Sequence, residues 1–305
     1  MKPNTPEFIS SFDGTRLAVY DVGPRDAPVV FLVNGLGGTV DTWLPVLEHF
    51  EGRFRFISFD YRGMFKSGTP PYKDFSMEAH ARDARVVLDH FEVESAIFMG
   101  WSMGVQLVLE LLRKTPETAR ALVLLNGTFA KPLDRAFPKL KRVALVGMDV
   151  LALYAPILKV YARPWTFSRL PVKVAKLAGV VSSNLDERVF LSLAHEFIHL
   201  DFVNFRDILV ALAQHDAEDV LETIQQPCLV VAGERDLFTP IETAREMTHR
   251  IPDCELLEVR DASHYALVEY PELICLRIEK FFDEQLPSPT KRKGSSPRRN
   301  KNSAR

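Results

Sequence analysis

Short apolar runs rich in β-branched residues alternate with amphipathic stretches of helical period through the first 126 residues and again after residue 226. This alternation predicts a sheet built from strand and helix units. Because the runs are apolar on both faces, we expect a mostly parallel sheet covered by helices on both sides. The predicted strands are residues 8–12, 16–21, 29–33, 54–59, 96–99, 121–125, 228–232 and 255–259, and the predicted helices are residues 40–49, 77–90, 105–113, 241–249 and 271–282.

Two segments depart from this alternation. From Lys131 to about Asp216 a long helical periodicity takes over, interrupted by prolines, which predicts a helical insertion into the sheet domain. Residues 287–305 hold seven Lys or Arg and no acidic residue, and this tail is predicted to be disordered because it has too few apolar residues to bury. The predicted organisation is a core of residues 1–130 and 217–286, a helical segment at 131–216, and the tail at 287–305.

The cysteines and the apolar stretches bear on the cellular setting. Three cysteines lie in or beside apolar runs and form neither a disulfide framework nor a metal-binding CxxC motif. The first 22 residues lack the continuous apolar core of a signal peptide. The longest apolar stretch, residues 143–160, is interrupted by Asp149, Pro156 and Lys159, which argues against a membrane span. We therefore expect a cytoplasmic protein.

Charge is unevenly distributed along the chain. The formal net charge is −2, so with +7 in the tail the first 286 residues carry −9. Within them, residues 131–181 hold ten Lys or Arg against Asp134 and Asp149, among many apolar side chains that include Tyr154, Tyr161 and Trp165. A basic and apolar segment suits acyl chains with anionic heads or an anionic lipid surface, and the alternative is a helical bundle with Lys and Arg stems on its solvated face. No nucleic acid is expected as a partner of the acidic folded body.

The pentapeptide Gly100-Trp101-Ser102-Met103-Gly104 stands between a predicted strand and a predicted helix. GxSxG in that position indicates a nucleophile elbow, a sharp turn that projects a strained serine. The flanking glycines are needed because such a turn leaves no room for side chains. The backbone N–H of Met103 then points from the helix N-terminus towards an oxyanion formed at an acyl carbon.

A nucleophilic serine needs a histidine base and a carboxylate that orients it. Asp236 follows the predicted strand 228–232, and His264 follows the last predicted strand, so both lie on loops at strand ends. The other seven histidines lie in or beside predicted helices or in the inserted segment, and those of the core helices are expected at the solvated surface. Glu234 and Asp261 are the competing acids and are expected to be solvated loop charges.

The predicted strand 29–33 leads directly into Asn34-Gly35-Leu36-Gly37-Gly38. The glycines allow the N–H of Leu36 to approach the oxyanion opposite that of Met103. A dinucleotide-binding GxGxxG motif would require a third glycine at position 40, which is valine.

With these motifs the chain resembles the α/β-hydrolase superfamily, in its lipase, esterase and carbon–carbon-bond hydrolase branch, over about residues 8–284. The resemblance implies a mostly parallel eight-stranded sheet flanked by helices, with a helical cap inserted after the sixth strand. Asn34 stands where the family has histidine. The family's Asp-x-Arg-Gly-x-Gly-x-Ser loop is matched by Asp60, Arg62, Gly63 and Ser67, with Phe65 in place of the second glycine.

A second motif competes with the serine apparatus. His195-Glu196-Phe197-Ile198-His199 matches HExxH, which on a helix holds zinc, with Glu218 as a conceivable third ligand. We prefer a helix whose histidines line the pocket or hydrogen-bond each other, and therefore no metal site. The residues predicted to bind substrate are Trp101, Phe65 at the pocket entrance, His195 and His199.

The predicted activity is cleavage of a small-molecule carboxylic ester, thioester, lactone or lipid ester through an acyl-enzyme on Ser102. His264 is the base, Asp236 orients it, and the N–H groups of Leu36 and Met103 form the oxyanion hole. No cofactor is required. The alternatives are a ligand receptor, or a lyase or cofactor-free oxygenase that uses the same three residues.

Overall fold

The computed structural model describes residues 5–136, 146–150, 152–154 and 169–286. Its centre is an eight-stranded sheet in the order β1-β2-β4-β3-β5-β6-β7-β8. β1 and β2 pair antiparallel, β2 pairs antiparallel with β4, and the remaining neighbours are parallel. The strands are β1 (Glu7–Ser10), β2 (Arg16–Val22), β3 (Val29–Val33), β4 (Arg55–Phe59), β5 (Ala96–Trp101), β6 (Ala119–Leu125), β7 (Cys228–Gly233) and β8 (Cys254–Val259).

Both faces of the sheet are buried, as the continuous apolar runs predict. Phe31 and Val33 of β3 belong to one hydrophobic core, whereas the alternate residues Val30 and Leu32 belong to the other. Alternate side chains of a strand point to opposite faces, so a strand covered on both sides must be apolar throughout. The predicted mostly parallel α/β sheet is confirmed.

The helices form a layer on each face. α2, α3 and α8 contribute to the core that contains Phe31, while α1 and α10 contribute to the core that contains Leu32. The helices of the two sheet-containing parts are α1 (Leu44–His49, preceded by a 3₁₀ turn at Val40–Trp43), α2 (Met77–His90), α3 (Met103–Lys114), α8 (Ile241–Arg250), α9 (Ala266–Glu269) and α10 (Pro271–Gln285).

Between β6 and β7 the described chain is helical, in the place predicted for the insertion. The labelled helices there are α4 (Pro132–Ala136), α5 (Leu170–Leu177), α6 (Glu187–Phe197) and α7 (Phe202–Gln214), and residues 146–150 and 152–154 are also helical. Val172, Leu185 and Val189 pack with Val268 of α9 in a small third core. Tyr161, Trp165 and the basic tail lie outside the described residues. No helix in the part of the chain that the structure describes is long and apolar enough to cross a bilayer.

One histidine of the core helices is not where its position predicts. The position of His80 in a core helix predicts a solvated surface residue, but its side chain is fully buried. Its Nδ1 lies 2.9 Å from the carbonyl oxygen of Ser76, and its ring packs edge-on against Tyr61. Burial lowers the pKa of His80, which favours the neutral ring. This correction arises because α2 turns the face that carries His80 towards the core.

Candidate active site

Ser102 occupies the sharp turn between β5 and α3. Its φ of 56° and ψ of −118° lie where residues with a Cβ rarely occur. The backbone holds this conformation through hydrogen bonds from Ser102 N to the Leu125 carbonyl oxygen (2.9 Å) and from Val105 N to the Ser102 carbonyl oxygen (3.0 Å). The turn therefore has the strained geometry expected of a nucleophile elbow.

The two glycines of the motif are required sterically. A Cβ on Gly104 would lie 2.1 Å from the Val33 carbonyl oxygen, and a Cβ on Gly100 would lie 2.7 Å from the Gly104 carbonyl oxygen. Both obstacles are backbone atoms that do not move aside easily. The start of α3 therefore approaches β3 and the end of β5 as closely as it does only because these positions lack side chains.

Ser102, His264 and Asp236 form a hydrogen-bonded chain, although they come from loops far apart in sequence. His264 Nε2 lies 2.8 Å from Ser102 Oγ, and His264 Nδ1 lies 2.8 Å from Asp236 Oδ2. An ionised carboxylate only accepts hydrogen bonds, so Nδ1 carries the proton and Nε2 is free to accept one from the serine hydroxyl. Asp236 follows β7 and His264 follows β8, so the carboxyl ends of neighbouring strands bring them together.

Asp236 is buried and held by several donors. Its Oδ1 accepts hydrogen bonds from the N–H groups of Phe238 (2.8 Å) and Thr239 (2.9 Å), and its Oδ2 accepts one from Thr239 Oγ1 (2.6 Å). Burial alone would raise the pKa of this carboxyl, but His264 and the hydrogen bonds from Thr239 hold the pKa below its ordinary value. The group is therefore ionised at neutral pH.

The two competing acids lie at the rim of the same loops. Glu234 is exposed and accepts a hydrogen bond from the Asp261 N–H at 3.1 Å. Asp261 pairs with the exposed guanidinium of Arg235. Among the described contacts, the acid that meets His264 is Asp236.

Asn126 belongs to this cluster, and the sequence analysis missed it. Its Nδ2 donates to Asp236 Oδ2 (3.0 Å) and to the Ser263 carbonyl oxygen (3.2 Å). It directly follows β6 and has a φ of 44°. A polar residue at the end of a buried strand, on the edge that carries Ser102 and Asp236, was the signal available in the sequence.

The loop after β3 lies against the nucleophile turn. A Cβ on Gly35 would lie 2.6 Å from the Trp101 ring and 3.1 Å from Ser102 Cβ, so this glycine permits the close approach. Asn34, which stands where the family has histidine, is buried: its Nδ2 donates to the Phe59 carbonyl oxygen (3.1 Å), and its Oδ1 accepts from Trp43 Nε1 (2.8 Å). The asparagine thus anchors the loop through side-chain hydrogen bonds.

A largely apolar cavity of about 610 Å³ opens beside Ser102 and His264. Both residues predicted for the oxyanion hole and one predicted substrate-binding residue, Trp101, line it. Its other lining residues include Gln106, Thr128, Leu133, Met148, Phe197, Phe205, Leu209, Leu212, Phe238, Thr239 and Tyr265.

Three predicted substrate-binding residues lie outside this lining. Phe65 is partly buried against the core beside the sheet, with a φ of 47°, a left-handed conformation that glycine adopts more easily than phenylalanine. On α6 it is Phe197, and not His195, that lines the cavity, because residues two apart on a helix point roughly 200° apart. The rings of His195 and His199 instead pack against each other edge to face, with their centroids 5.2 Å apart. Among the described residues, no three His, Cys, Asp or Glu side chains form a metal-binding group.

Residues 60–67, the loop matched above to the pattern Asp-x-Arg-Gly-x-Gly-x-Ser, are held in place by buried hydrogen bonds. Arg62 is fully buried and donates to Asp83 through Nε and one terminal nitrogen, both at 2.6 Å. Ser67 Oγ donates to the Asp60 carbonyl oxygen at 2.7 Å. Burial raises the pKa of the Asp60 carboxyl to about 6. These contacts are structural, since none of the four residues lines the cavity.

The parallel sheet covered by helices defines an α/β protein, and a strained serine with a hydrogen-bonded histidine and aspartate lies at the carboxyl edge of that sheet. A family model described as alpha/beta hydrolase fold matches residues 28–271, and the chain belongs to that family. The family and the site together identify a hydrolase.

Similar proteins agree with this class. A protein of Agrobacterium fabrum named "Putative carbamate hydrolase RutD" is 26% identical over 84% of this chain and 93% of its own length. A hydrolase from Pseudomonas aeruginosa PA01 has a TM-score of 0.73 at 22% identity, over 91% of this chain and 98% of its own. An enol-lactonase from Burkholderia xenovorans LB400 has a TM-score of 0.69 at 23% identity, over 91% of this chain and 100% of its own. Both structures share the fold.

Proposed function

We propose that the chain is a serine hydrolase that cleaves carboxylic esters through an acyl-enzyme on Ser102. The observation that carries this proposal is the chain of two 2.8 Å hydrogen bonds from Ser102 Oγ through His264 to Asp236. The serine lies at the wall of a cavity large enough for a small organic ester. The arrangement supplies a nucleophile, a base and an orienting carboxylate in one place.

The proposed reaction has two stages. His264 Nε2 takes the proton of Ser102 as Oγ attacks the carbonyl carbon, and the N–H groups of Leu36 and Met103 bind the oxyanion. Asp236 holds the ring orientation and stabilises the imidazolium. His264 then returns the proton to the leaving alcohol, and activates a water that releases the acid from Ser102.

The lining of the cavity favours substrates with an apolar part. Apolar side chains, with leucine, methionine and phenylalanine the commonest, form most of the wall, with few polar groups among them. Burying hydrocarbon against such a wall makes the free energy of binding more favourable, whereas a small, strongly hydrated substrate buries little apolar surface there. Esters, thioesters and lactones with an alkyl or aryl portion fit it, and the names of similar proteins add carbamates to the panel to be tested.

We also propose contact with an anionic lipid surface, supported by α5. This helix carries three exposed apolar side chains, those of Leu170, Val174 and Leu177. Leu177 is 92% exposed. Lys173 is exposed on the same helix. Exposed apolar side chains beside lysine suit the interface of a membrane that carries negative charge. The basic residues Lys139, Lys141 and Arg142, which motivate the same idea in the sequence, lie outside the described residues.

The discriminating experiment is hydrolysis of a substrate panel by the wild type and by Ser102→Ala. The panel holds p-nitrophenyl esters of increasing chain length, acyl-CoA thioesters, a lactone and an aryl carbamate. Ser192→Ala is the matched control, since its hydroxyl bonds Asp41 at 3.1 Å, away from the triad. We expect ester turnover in the wild type and in the control, and its loss in Ser102→Ala.

Other outcomes would overturn the proposal. If Ser102→Ala hydrolysed the esters as fast as the wild type, an acyl-enzyme on Ser102 would be ruled out. Tight ligand binding without any turnover would favour a receptor, and products other than acid and alcohol would favour lyase or oxygenase chemistry on the same residues.

A further inference from the structure

The cavity wall contains a polar side chain that the proposed hydrolysis does not use. Gln106 is the fourth residue after Ser102 and lies in the first turn of α3. It is only 1% exposed and lines the cavity together with Met103. Residues three apart on a helix share a face, so the Gln106 side chain stands next to the residue whose N–H is proposed to bind the oxyanion.

One end of the Gln106 amide is fixed by a buried histidine. Gln106 Oε1 lies 2.7 Å from His215 Nδ1, and His215 Nε2 lies 3.2 Å from Glu110 Oε2. Glu110 also pairs with Arg113. A His215 ring with its proton on Nδ1 donates that N–H to Gln106 Oε1. The amide oxygen of Gln106 is therefore occupied, and its N–H groups are directed elsewhere.

The amide nitrogen of Gln106 has no hydrogen-bond partner among the described residues. Other buried polar atoms also lack a partner in that part of the chain, but none of their residues lines the cavity. The two threonines in the lining are already bonded, Thr128 to the Ala130 carbonyl oxygen and Thr239 to Asp236. A buried donor without a partner is unfavourable, so a ligand acceptor would relieve this cost.

In the proposed binding mode this donor faces the acyl side of the substrate. The leaving group must reach His264, which comes from the loop after β8. Gln106 belongs to α3, and its side chain meets His215 and Glu110 rather than that loop. Gln106 lies about one helical turn along α3 from the oxyanion donor Met103, so an oxygen that reaches its amide belongs to the same substrate as the scissile carbonyl.

Resting on the proposed ester hydrolysis, we infer that Gln106 Nε2 binds an acceptor oxygen on the acyl chain, so the preferred substrates are esters whose acyl group carries an ether or keto oxygen near the scissile carbonyl. The remaining wall would cover the hydrocarbon on either side of that oxygen. Gln106 is then a specificity-determining residue for the same site.

The experiment is an oxygen scan of the acyl chain. p-Nitrophenyl hexanoate is compared with analogues in which an ether oxygen replaces the methylene at carbon 3, 4 or 5, or a keto group stands there. The measured quantity is the ratio of kcat/KM for the oxygenated ester to kcat/KM for the hexanoate. Differences in intrinsic reactivity cancel when this ratio is compared between enzymes.

Two variants separate the donor from the rest of the side chain. Gln106→Glu keeps an oxygen for His215 but replaces the N–H donor with an acceptor, whereas Gln106→Met removes both. We expect the wild type to favour one oxygen position. The kcat/KM ratio for the ester with its oxygen at that position should fall about tenfold or more in both variants. Gln225→Glu, the same change at an exposed position, should leave the ratio unaltered. Circular dichroism and thermal unfolding check that each variant is folded.

The failures are distinguishable. If the wild type hydrolyses esters through Ser102 but both variants keep its ratio at every position, the inference is wrong and the proposed function stands. If chains with a hydroxyl or amide N–H are preferred, and only Gln106→Met loses that preference, the amide presents its oxygen and the donor assignment is wrong. If no ester is hydrolysed and Ser102 is not labelled by an organophosphate, the proposed function fails first.

Discussion

Asn126 and Asp236 are joined by a hydrogen bond of 3.0 Å, and the same asparagine nitrogen also donates to the backbone just before His264. One side chain at the end of β6 thereby ties together the loops that follow β7 and β8. Asn126 does not line the cavity, so we expect it to affect the proposed reaction only through the orientation of other groups.

Asn126→Ala is expected to lower kcat about 10- to 100-fold while changing KM little. A hydrogen bond to a buried carboxylate contributes about 1.5–3 kcal/mol, and its loss frees Asp236 to move relative to His264. The pH profile of kcat/KM should shift as well, because the environment of the base changes. Asn184→Ala, at an exposed loop position, is the control. A variant that loses only thermal stability would show that Asn126 has no positioning role.

The three candidate catalytic residues should behave as one unit. Ser102→Ala, His264→Ala and Asp236→Asn are each expected to reduce ester hydrolysis by roughly three or more orders of magnitude, because the apparatus works only when complete. Glu234→Gln and Asp261→Asn should change activity less than tenfold, since both acids lie at the loop rim. If either of these two variants were the damaging one, the acid would be misassigned.

Covalent labelling tests the nucleophile directly. An organophosphate is expected to add to Ser102 Oγ, with loss of its leaving group, and to abolish activity in proportion to the label. Mass spectrometry locates the adduct, and Ser102→Ala should take up none. A chelator should leave activity unchanged, and activity that falls with the chelator and returns with zinc would revive the HExxH hypothesis for residues 195–199.

The buried Asp60 predicts a pH-dependent stability term. Burial raises its pKa to about 6 in the folded state, against about 3.9 unfolded. The folded protein therefore binds more protons between these values, and this group's contribution to stability is lost as pH rises towards and through 6. The free energy of unfolding of Asp60→Asn, relative to wild type, should increase by about 2–3 kcal/mol from pH 4 to pH 7. Urea unfolding measures it, with the exposed Asp26→Asn as control. If the difference in unfolding free energy between Asp60→Asn and the wild type did not change with pH, the raised pKa of Asp60 would be contradicted.

Lipid contact through α5 is tested with vesicles. Lys173→Gln combined with Leu177→Ser should weaken binding to vesicles that contain phosphatidylserine by several-fold, and the effect should fade above about 0.1 M salt because charges are screened beyond about 10 Å. Turnover of a small soluble ester should not change. The comparison is made in a chain that ends at Leu286, since the basic tail can bind the same vesicles. Equal binding to neutral vesicles would contradict the proposal.

The sequence determined the elements and their order. Continuous apolar runs required a sheet covered on both sides, and the strands and core helices lie within a few residues of the predicted ranges. The sequence also predicted that three residues, Ser102, Asp236 and His264, each follow a strand of one parallel sheet. Parallel strands end at the same edge, so residues that follow them must converge.

The tertiary structure decided which neighbouring side chains take part. Glu234 and Asp236 are two residues apart on one loop, and only the folded path of that loop places Asp236 against His264. The rotation of α6 likewise put Phe197 rather than His195 on the cavity wall. Asn126 and the amide of Gln106 acquire their partners from segments about 110 to 140 residues away. Local periodicity fixes a helix or a strand, but contacts between distant segments depend on packing, which a single sequence does not display.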